Sequence, residues 1–207
     1  MLKRAALAVA LLWTGASTAF GQAGPVQLLL IVDRSASMST MEGAFPRTAW
    51  IRNGVLSAIN ELPRDARIGI VAFDARAEVV MPMQTYDRFA IQRALDALVP
   101  REGGDLAAGL VLGLELLAGE EPGDRIVIVL TDAVPASGDF EALGEAYRAA
   151  GATVFPTILG PSGDLTLRPL ATATGGRYEA FFAFQQLDGL MRTEVLDWRD
   201  ALAARRP

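Results

Sequence analysis

Leu28-Leu29-Leu30-Ile31-Val32-Asp33-Arg34-Ser35-Ala36-Ser37 is the stretch on which the fold turns: an unbroken apolar run, then a carboxylate and two hydroxyls at alternate positions. Such a run, bounded by polar residues, suits a strand covered on both faces, as in a parallel sheet flanked by helices. A second run, residues 126–130, ends in Thr131-Asp132. Ligands of open α/β sheets gather outside the carboxyl ends of the strands, so the two runs deliver oxygen-bearing side chains to one edge.

The Asp-x-Ser-x-Ser spacing lets a loop leaving a strand turn Asp33, Ser35 and Ser37 toward one point. A carboxylate and two hydroxyls are oxygen donors, suited to Mg²⁺ or Mn²⁺ better than to Zn²⁺ or Cu²⁺. The same residues equally suit a turn, where they would satisfy backbone groups or cap the following helix. Both readings stand on these three residues alone.

Outward from this stretch, strands and helices alternate. Ile51, Val55, Ala58, Ile59 and Leu62 share one helical face, with Pro46 near its start and Pro63 closing it. Arg67–Phe73 is apolar on both faces, and Asp74-Ala75-Arg76 is a turn into 77–81, an antiparallel edge strand. Two helical stripes follow, Ile91, Ala94, Leu95 and Leu98, then Leu106, Leu110, Leu114 and Leu117, both simpler as core than as binding surface. The strand 125–130 precedes a helix carrying Phe140, Leu143 and Tyr147, which ends at Gly151; Ala152–Leu159 is the next strand. A last helical segment, 185–203, offers Leu187, Leu190, Met191 and Leu196 as contacts. Alternation of this kind implies right-handed crossovers and a doubly wound α/β domain: a mainly parallel sheet, helices on both faces, one antiparallel edge strand.

A chain of 207 residues has room for one domain of ordinary size. It contains no cysteine and no histidine, which excludes Ser-His-Asp and Cys-His catalysis, thiolate or imidazole zinc sites, haem on histidine and disulfides. Residues 1–23 read as a secretory signal, with Lys3 and Arg4 ahead of the apolar stretch 5–13 and small residues from Gly15 to Ala19. That stretch is well short of the roughly 20 residues needed to span a bilayer. The formal charge of −5 becomes more negative once Lys3 and Arg4 are removed, which disfavours nucleic acid and anionic membranes as partners.

The order of motifs resembles the von Willebrand factor type A (VWA) family. The pieces are Val32-Asp33-Arg34-Ser35-Ala36-Ser37-Met38, the hairpin 67–81, Gly103-Gly104-Asp105-Leu106-Ala107-Ala108-Gly109-Leu110, and Ile128-Val129-Leu130-Thr131-Asp132. Leu170-Ala171-Thr172-Ala173-Thr174-Gly175-Gly176-Arg177-Tyr178 extends the likeness toward the C-terminus, and a VWA-like domain is expected over 26–203. The resemblance implies a Mg²⁺ or Mn²⁺ ion held by Asp33, Ser35, Ser37 and Asp132, the serines directly and the aspartates largely through water. It also implies a partner protein whose carboxylate completes the shell. One position departs from the family pattern: where a threonine ligand is usual, this chain has Gly104, and no Ser or Thr lies between Val99 and Leu116. Asp105 is a candidate substitute ligand, although it equally suits the N-terminus of a helix.

The resulting expectation is a secreted protein-binding module, periplasmic in a Gram-negative bacterium, that engages an acidic side chain through its cation and has no catalytic activity. Met38, Met41 and Phe45, beside the ion, are candidates for an apolar rim because flexible Met side chains adapt to partner surfaces, and any one of them equally suits a lid folded back over the local core. One alternative is a metal-free scaffold within a larger complex. Another is a magnesium-dependent phosphohydrolase with Asp33 as nucleophile. Against it, Ser35 stands where an Asp-x-Asp motif needs an acid, no histidine is present, and no phosphate-binding glycine loop follows the first strand.

Overall fold

The computed structural model describes residues 24–132, 138–159, 165–181 and 183–204. The N-terminal segment read as a signal lies outside the described residues. Among the described residues, eight strands and six α-helices follow in the order β1 Val26–Asp33, β2 Met41–Glu42, β3 Phe45–Pro46, α1 Arg47–Ala58, β4 Arg67–Phe73, β5 Ala77–Thr85, α2 Arg88–Asp96, α3 Leu106–Ala118, β6 Asp124–Thr131, α4 Phe140–Ala149, β7 Ala152–Leu159, α5 Arg168–Thr174, β8 Glu179–Phe181 and α6 Leu187–Ala203. The main sheet has the order β5-β4-β1-β6-β7-β8, and all neighbours are parallel except β4 and β5. The expected doubly wound α/β architecture, with its antiparallel edge, is the observed one.

Side chains of a strand alternate between faces, so an apolar run without gaps feeds two cores at once. In β1, Leu28, Leu30 and Val32 enter a core with Ile51 and Val55 of α1, Ile91 of α2, and Met191 and Val195 of α6. Leu29 and Ile31 enter the other, with Leu106 and Leu110 of α3 and Tyr147 of α4. The second core is closed by a tight approach: a Cβ on Gly113 would lie 2.6 Å from the Tyr147 hydroxyl and 2.9 Å from Ile31 Cδ1. Tyr147 donates its hydroxyl hydrogen to the Leu110 carbonyl at 2.8 Å, which satisfies the one polar atom of a fully buried ring.

The chain leaves β1 toward β4 on one side and later returns to pair β6 on the other. β1 therefore sits where the winding direction reverses, the place at which open α/β sheets form a crevice beyond their strand ends. Asp33 ends β1 opposite Phe73 of β4, and Val32 lies opposite Leu130 of β6. Register alone brings Asp33 beside the Thr131-Asp132 end of β6.

Two stretches and the side chain of Met38 differ from the sequence expectations. The segment between Ser37 and α1 folds into a 3₁₀ turn, Ala36–Ser39, and the β2–β3 hairpin, with Gly43 at φ 67° supplying its left-handed turn. α5 overlaps the stretch 170–178 that carries only the family resemblance, and β8 follows directly after it. Met38 is the clear correction: expected on the rim, it is 0% exposed and packs in the core with Leu28, Leu30 and Val32. The 3₁₀ turn is closed by the Met38 amide donating to the Ser35 carbonyl at 3.0 Å, which faces Met38 inward and leaves Ser37 outside.

That difference is measurable. Met38→Asp buries an unpaired carboxylate and is expected to lower stability by about 3 kcal/mol or more. Met41→Asp, at a position 58% exposed, is expected to change it by less than about 0.5 kcal/mol. Urea denaturation of the two variants side by side checks both.

Candidate functional site

The site begins with the buried carboxylate that ends β1. Asp33 Oδ1 accepts the Ser35 amide hydrogen at 2.7 Å, closing a local turn, and Oδ2 accepts from the Thr131 hydroxyl at 2.6 Å. Burial pushes the Asp33 pKa above its ordinary value; the bonds from Thr131 and Ser35 hold it back, and the neighbouring charge of Asp132 adds to the rise.

Ser35 and Ser37 separate the two readings of the motif. Ser35 occupies the N-cap of the 3₁₀ turn, yet its side chain makes no capping bond. Instead the Ser35 and Ser37 hydroxyls meet at 2.9 Å, and Ser37 donates onward to Asp132 Oδ1 at 2.8 Å. Asp33 thus does serve a backbone group, whereas the two hydroxyls bond to side chains and line up toward the second strand end. Asp33, Ser35, Ser37 and Asp132 form one oxygen-rich cluster fed by β1 and β6.

The donor chemistry fits a hard divalent cation: two carboxylates and two hydroxyls, in a chain that has no cysteine thiolate and no imidazole nitrogen. Among the described residues no three His, Cys, Asp or Glu side chains gather into a metal-holding group, so the hydroxyls would have to carry part of the coordination. Asp105, the candidate further ligand, is engaged in capping a helix. It is the N-cap of α3, with its side chain accepting the Ala108 amide hydrogen at 3.0 Å.

The glycines before Asp105 play different parts. Gly103 has φ 98°, and a Cβ there would lie 2.5 Å from the Ala75 backbone nitrogen. This close approach lets the loop hang on the β4–β5 turn, through the Ala75 amide donating to the Glu102 carbonyl at 3.3 Å and the Asp105 amide to the Asp74 carbonyl at 2.6 Å. Gly104 is under no such constraint: a Cβ there meets nothing within 4 Å.

Several side chains that the motif reading passed over complete the neighbourhood. Arg34, the variable residue between Asp33 and Ser35, turns away from the cluster and is buried against Asp74 at 2.7 Å, with Glu78 at 2.8 Å. Although burial works the other way, the Arg76 amide and the Arg34 guanidinium hold the Asp74 pKa below its ordinary value. Arg47, the first residue of α1, donates Nη1 to Asp132 Oδ2 at 2.5 Å and grips Glu42 Oε1 with Nε at 3.1 Å and Nη2 at 2.7 Å. No sequence spacing signals that pairing, which links positions far apart in the chain.

The candidate rim splits. Met41 and Phe45 are 58% and 49% exposed on the β2–β3 hairpin, which Trp50 braces by an edge-on ring contact to Phe45 at 5.6 Å and a 2.9 Å bond from its indole N–H to the Glu42 carbonyl. Met38 lies beneath them in the core.

A sequence profile for the von Willebrand factor type A domain matches residues 28–134, more than half of the chain. A Synechocystis sp. protein described as uncharacterized is 32% identical over 117 residues, covering 56% of this chain and 27% of that protein. Human matrilin-4 is 23% identical over 159 residues, covering 72% of this chain and 25% of matrilin-4. The chain therefore spans about a quarter of the length of these curated relatives. Among solved structures, BatB from Bacteroides thetaiotaomicron superposes with a TM-score of 0.71 at 16% identity, over 84% of this chain and 99% of that one. At that identity the likeness speaks for the fold.

Proposed function

Because the chain belongs to the von Willebrand factor type A family, whose domains generally serve as protein-interaction modules, we propose that it is an exported binding module without catalytic activity. Its cluster of Asp33, Ser35, Ser37 and Asp132 would hold Mg²⁺ or Mn²⁺. The observation that carries this reading is the line of oxygen contacts from Ser35 through Ser37 to Asp132, made by hydroxyls that do no capping.

When bound, the ion supplies a Lewis-acidic position for an acidic side chain of another protein. The chain's own residues supply the rest. Asp33, held by Ser35 and Thr131, contributes a fixed negative charge; the two serines contribute neutral oxygens; Asp132 contributes the second charge from the neighbouring strand. Met41 and Phe45 offer apolar contact on the adjoining hairpin. Export rests on the signal-like residues 1–23, and no helix among the described residues is long and apolar enough to cross a membrane.

A metal-free scaffold is the competing reading, favoured by Gly104, which has no side-chain oxygen where the family resemblance assigns a threonine ligand. The two readings part on one substitution. Gly104→Thr adds a hydroxyl into open space, and the expected result is Mn²⁺ binding tightened by about tenfold, since affinity in oxygen sites follows the number of ligands. Isothermal calorimetry on the variant and the parent chain checks this. A scaffold without a cation site would show no uptake in either protein.

A further inference from the structure

Asp132 already has a cation. Its side chain is 1% exposed, and each of its oxygens is engaged: Oδ1 accepts from Ser37 at 2.8 Å and Oδ2 from Arg47 Nη1 at 2.5 Å. Arg47 is no loosely tethered surface residue. Two of its nitrogens clasp Glu42 at 2.7 and 3.1 Å, and its guanidinium carbon lies 4.9 Å from the centre of the Phe184 ring.

The position of Arg47 sharpens the point. It begins α1, where the helix dipole disfavours a positive charge, and the first turn contains no acid to offset it. Glu42 and Asp132 are what hold it there. The guanidinium and a divalent ion would therefore draw on the same carboxylate from a short distance, and like charges so placed repel.

We propose that Arg47 is a built-in rival of the divalent cation for Asp132, setting the metal concentration at which the site fills. This inference rests on the reading of the cluster as a cation site. Metal entry detaches the Arg47 guanidinium from Asp132, while Glu42 and Phe184 retain it nearby. When the ion leaves, the same side chain returns and keeps Asp132 from standing buried and unpaired, which would be costly. The site is thus weak by construction, tuned by an internal ion pair as well as by the missing hydroxyl at Gly104.

The test is Mn²⁺ titration, by calorimetry and by the shift in melting temperature, of the full chain and of Arg47→Met, which keeps an apolar stem without the charge. Arg47→Met is expected to bind Mn²⁺ about tenfold more tightly, the effect of removing one unit charge a few ångströms away near a protein surface. It is also expected to melt lower without metal and to gain more from Mn²⁺ than the parent does. Equal or weaker binding by Arg47→Met, with Asp33→Ala still abolishing uptake, would overturn the rivalry and leave the cation site standing. No uptake by any of these proteins would overturn both. Nitrogen-15 spectra of the unmodified chain add a readout that needs no variant. Saturation with diamagnetic Mg²⁺ is expected to move the Arg47 Nη1–H resonance, because that nitrogen loses Asp132 as its acceptor, and a resonance unmoved at saturation would contradict the inference.

Discussion

Between pH 5 and pH 8 the wild-type domain is expected to lose stability relative to Glu194→Gln by on the order of 3 to 5 kcal/mol. Glu194 lies on α6 with 0% exposure; its Oε1 accepts from the Thr157 hydroxyl on β7 at 3.2 Å, and its Oε2 has no hydrogen-bond partner among the described residues. Burial pushes its pKa up to about 8, Thr157 and Arg177 pull downward, and Glu179 and Asp197 push upward. The folded protein therefore keeps this acid neutral at pH 7, whereas the unfolded chain ionises it near the ordinary value of 4.5. Below that ordinary value both states hold the proton and nothing is lost. Above it the unfolded state gains by releasing the proton, so stability falls by about 1.4 kcal/mol for each pH unit until the folded pKa is passed. Gln has nearly the same shape, keeps the acceptor for Thr157 and has no proton to lose. Urea denaturation of both proteins at several pH values checks the difference; parallel pH profiles would contradict it.

The second large effect is loss of metal uptake in Asp33→Ala. The substitution removes a charge from the cluster and leaves the Ser35 amide and Thr131 hydroxyl without the acceptor that each now has. Stability is expected to fall by about 1 to 3 kcal/mol, the cost of a buried donor losing its partner. Asp33→Asn provides the control. It retains an oxygen for one donor, so a correctly folded Asn variant that also fails to bind Mn²⁺ assigns the loss to the charge and not to unfolding. Binding unchanged in both variants would place the ion elsewhere.

How far the sequence could be read depended on how many residues share a signal. β1, β6 and β7 are long apolar runs that can be buried only between two layers of helices, and α1 and α3 repeat their stripes over several turns. α5 and β8 are seven and three residues long, too short to build a period. In α6 the expected Leu187 and Met191 are buried, Leu196 is only half-buried, and Val195 and Trp198 take the remaining core positions beside Glu194. A glutamate on an apolar face is the one sign of that buried acid, and the sign alone cannot tell burial from a kink in the stripe.

At the site, the motif spacing was sufficient to bring Asp33, Ser35, Ser37 and Asp132 into one cluster, because strand ends fix where such residues go. It was insufficient for Met38, since a 3₁₀ turn inverts the side chain that a simple loop would leave outside. The Arg47–Asp132 pair was equally out of reach. It depends on the first residue of α1 reaching Asp132, just beyond the end of β6, a meeting set by the fold as a whole that no local pattern encodes.

Calorimetric titration of Mn²⁺ into the wild-type domain, with Asp33→Ala alongside, tests the cation site most directly. Saturable uptake of a single ion, reversed by chelator and lost in Asp33→Ala, is the expected result; no uptake at millimolar Mn²⁺ by a folded wild-type domain would contradict it.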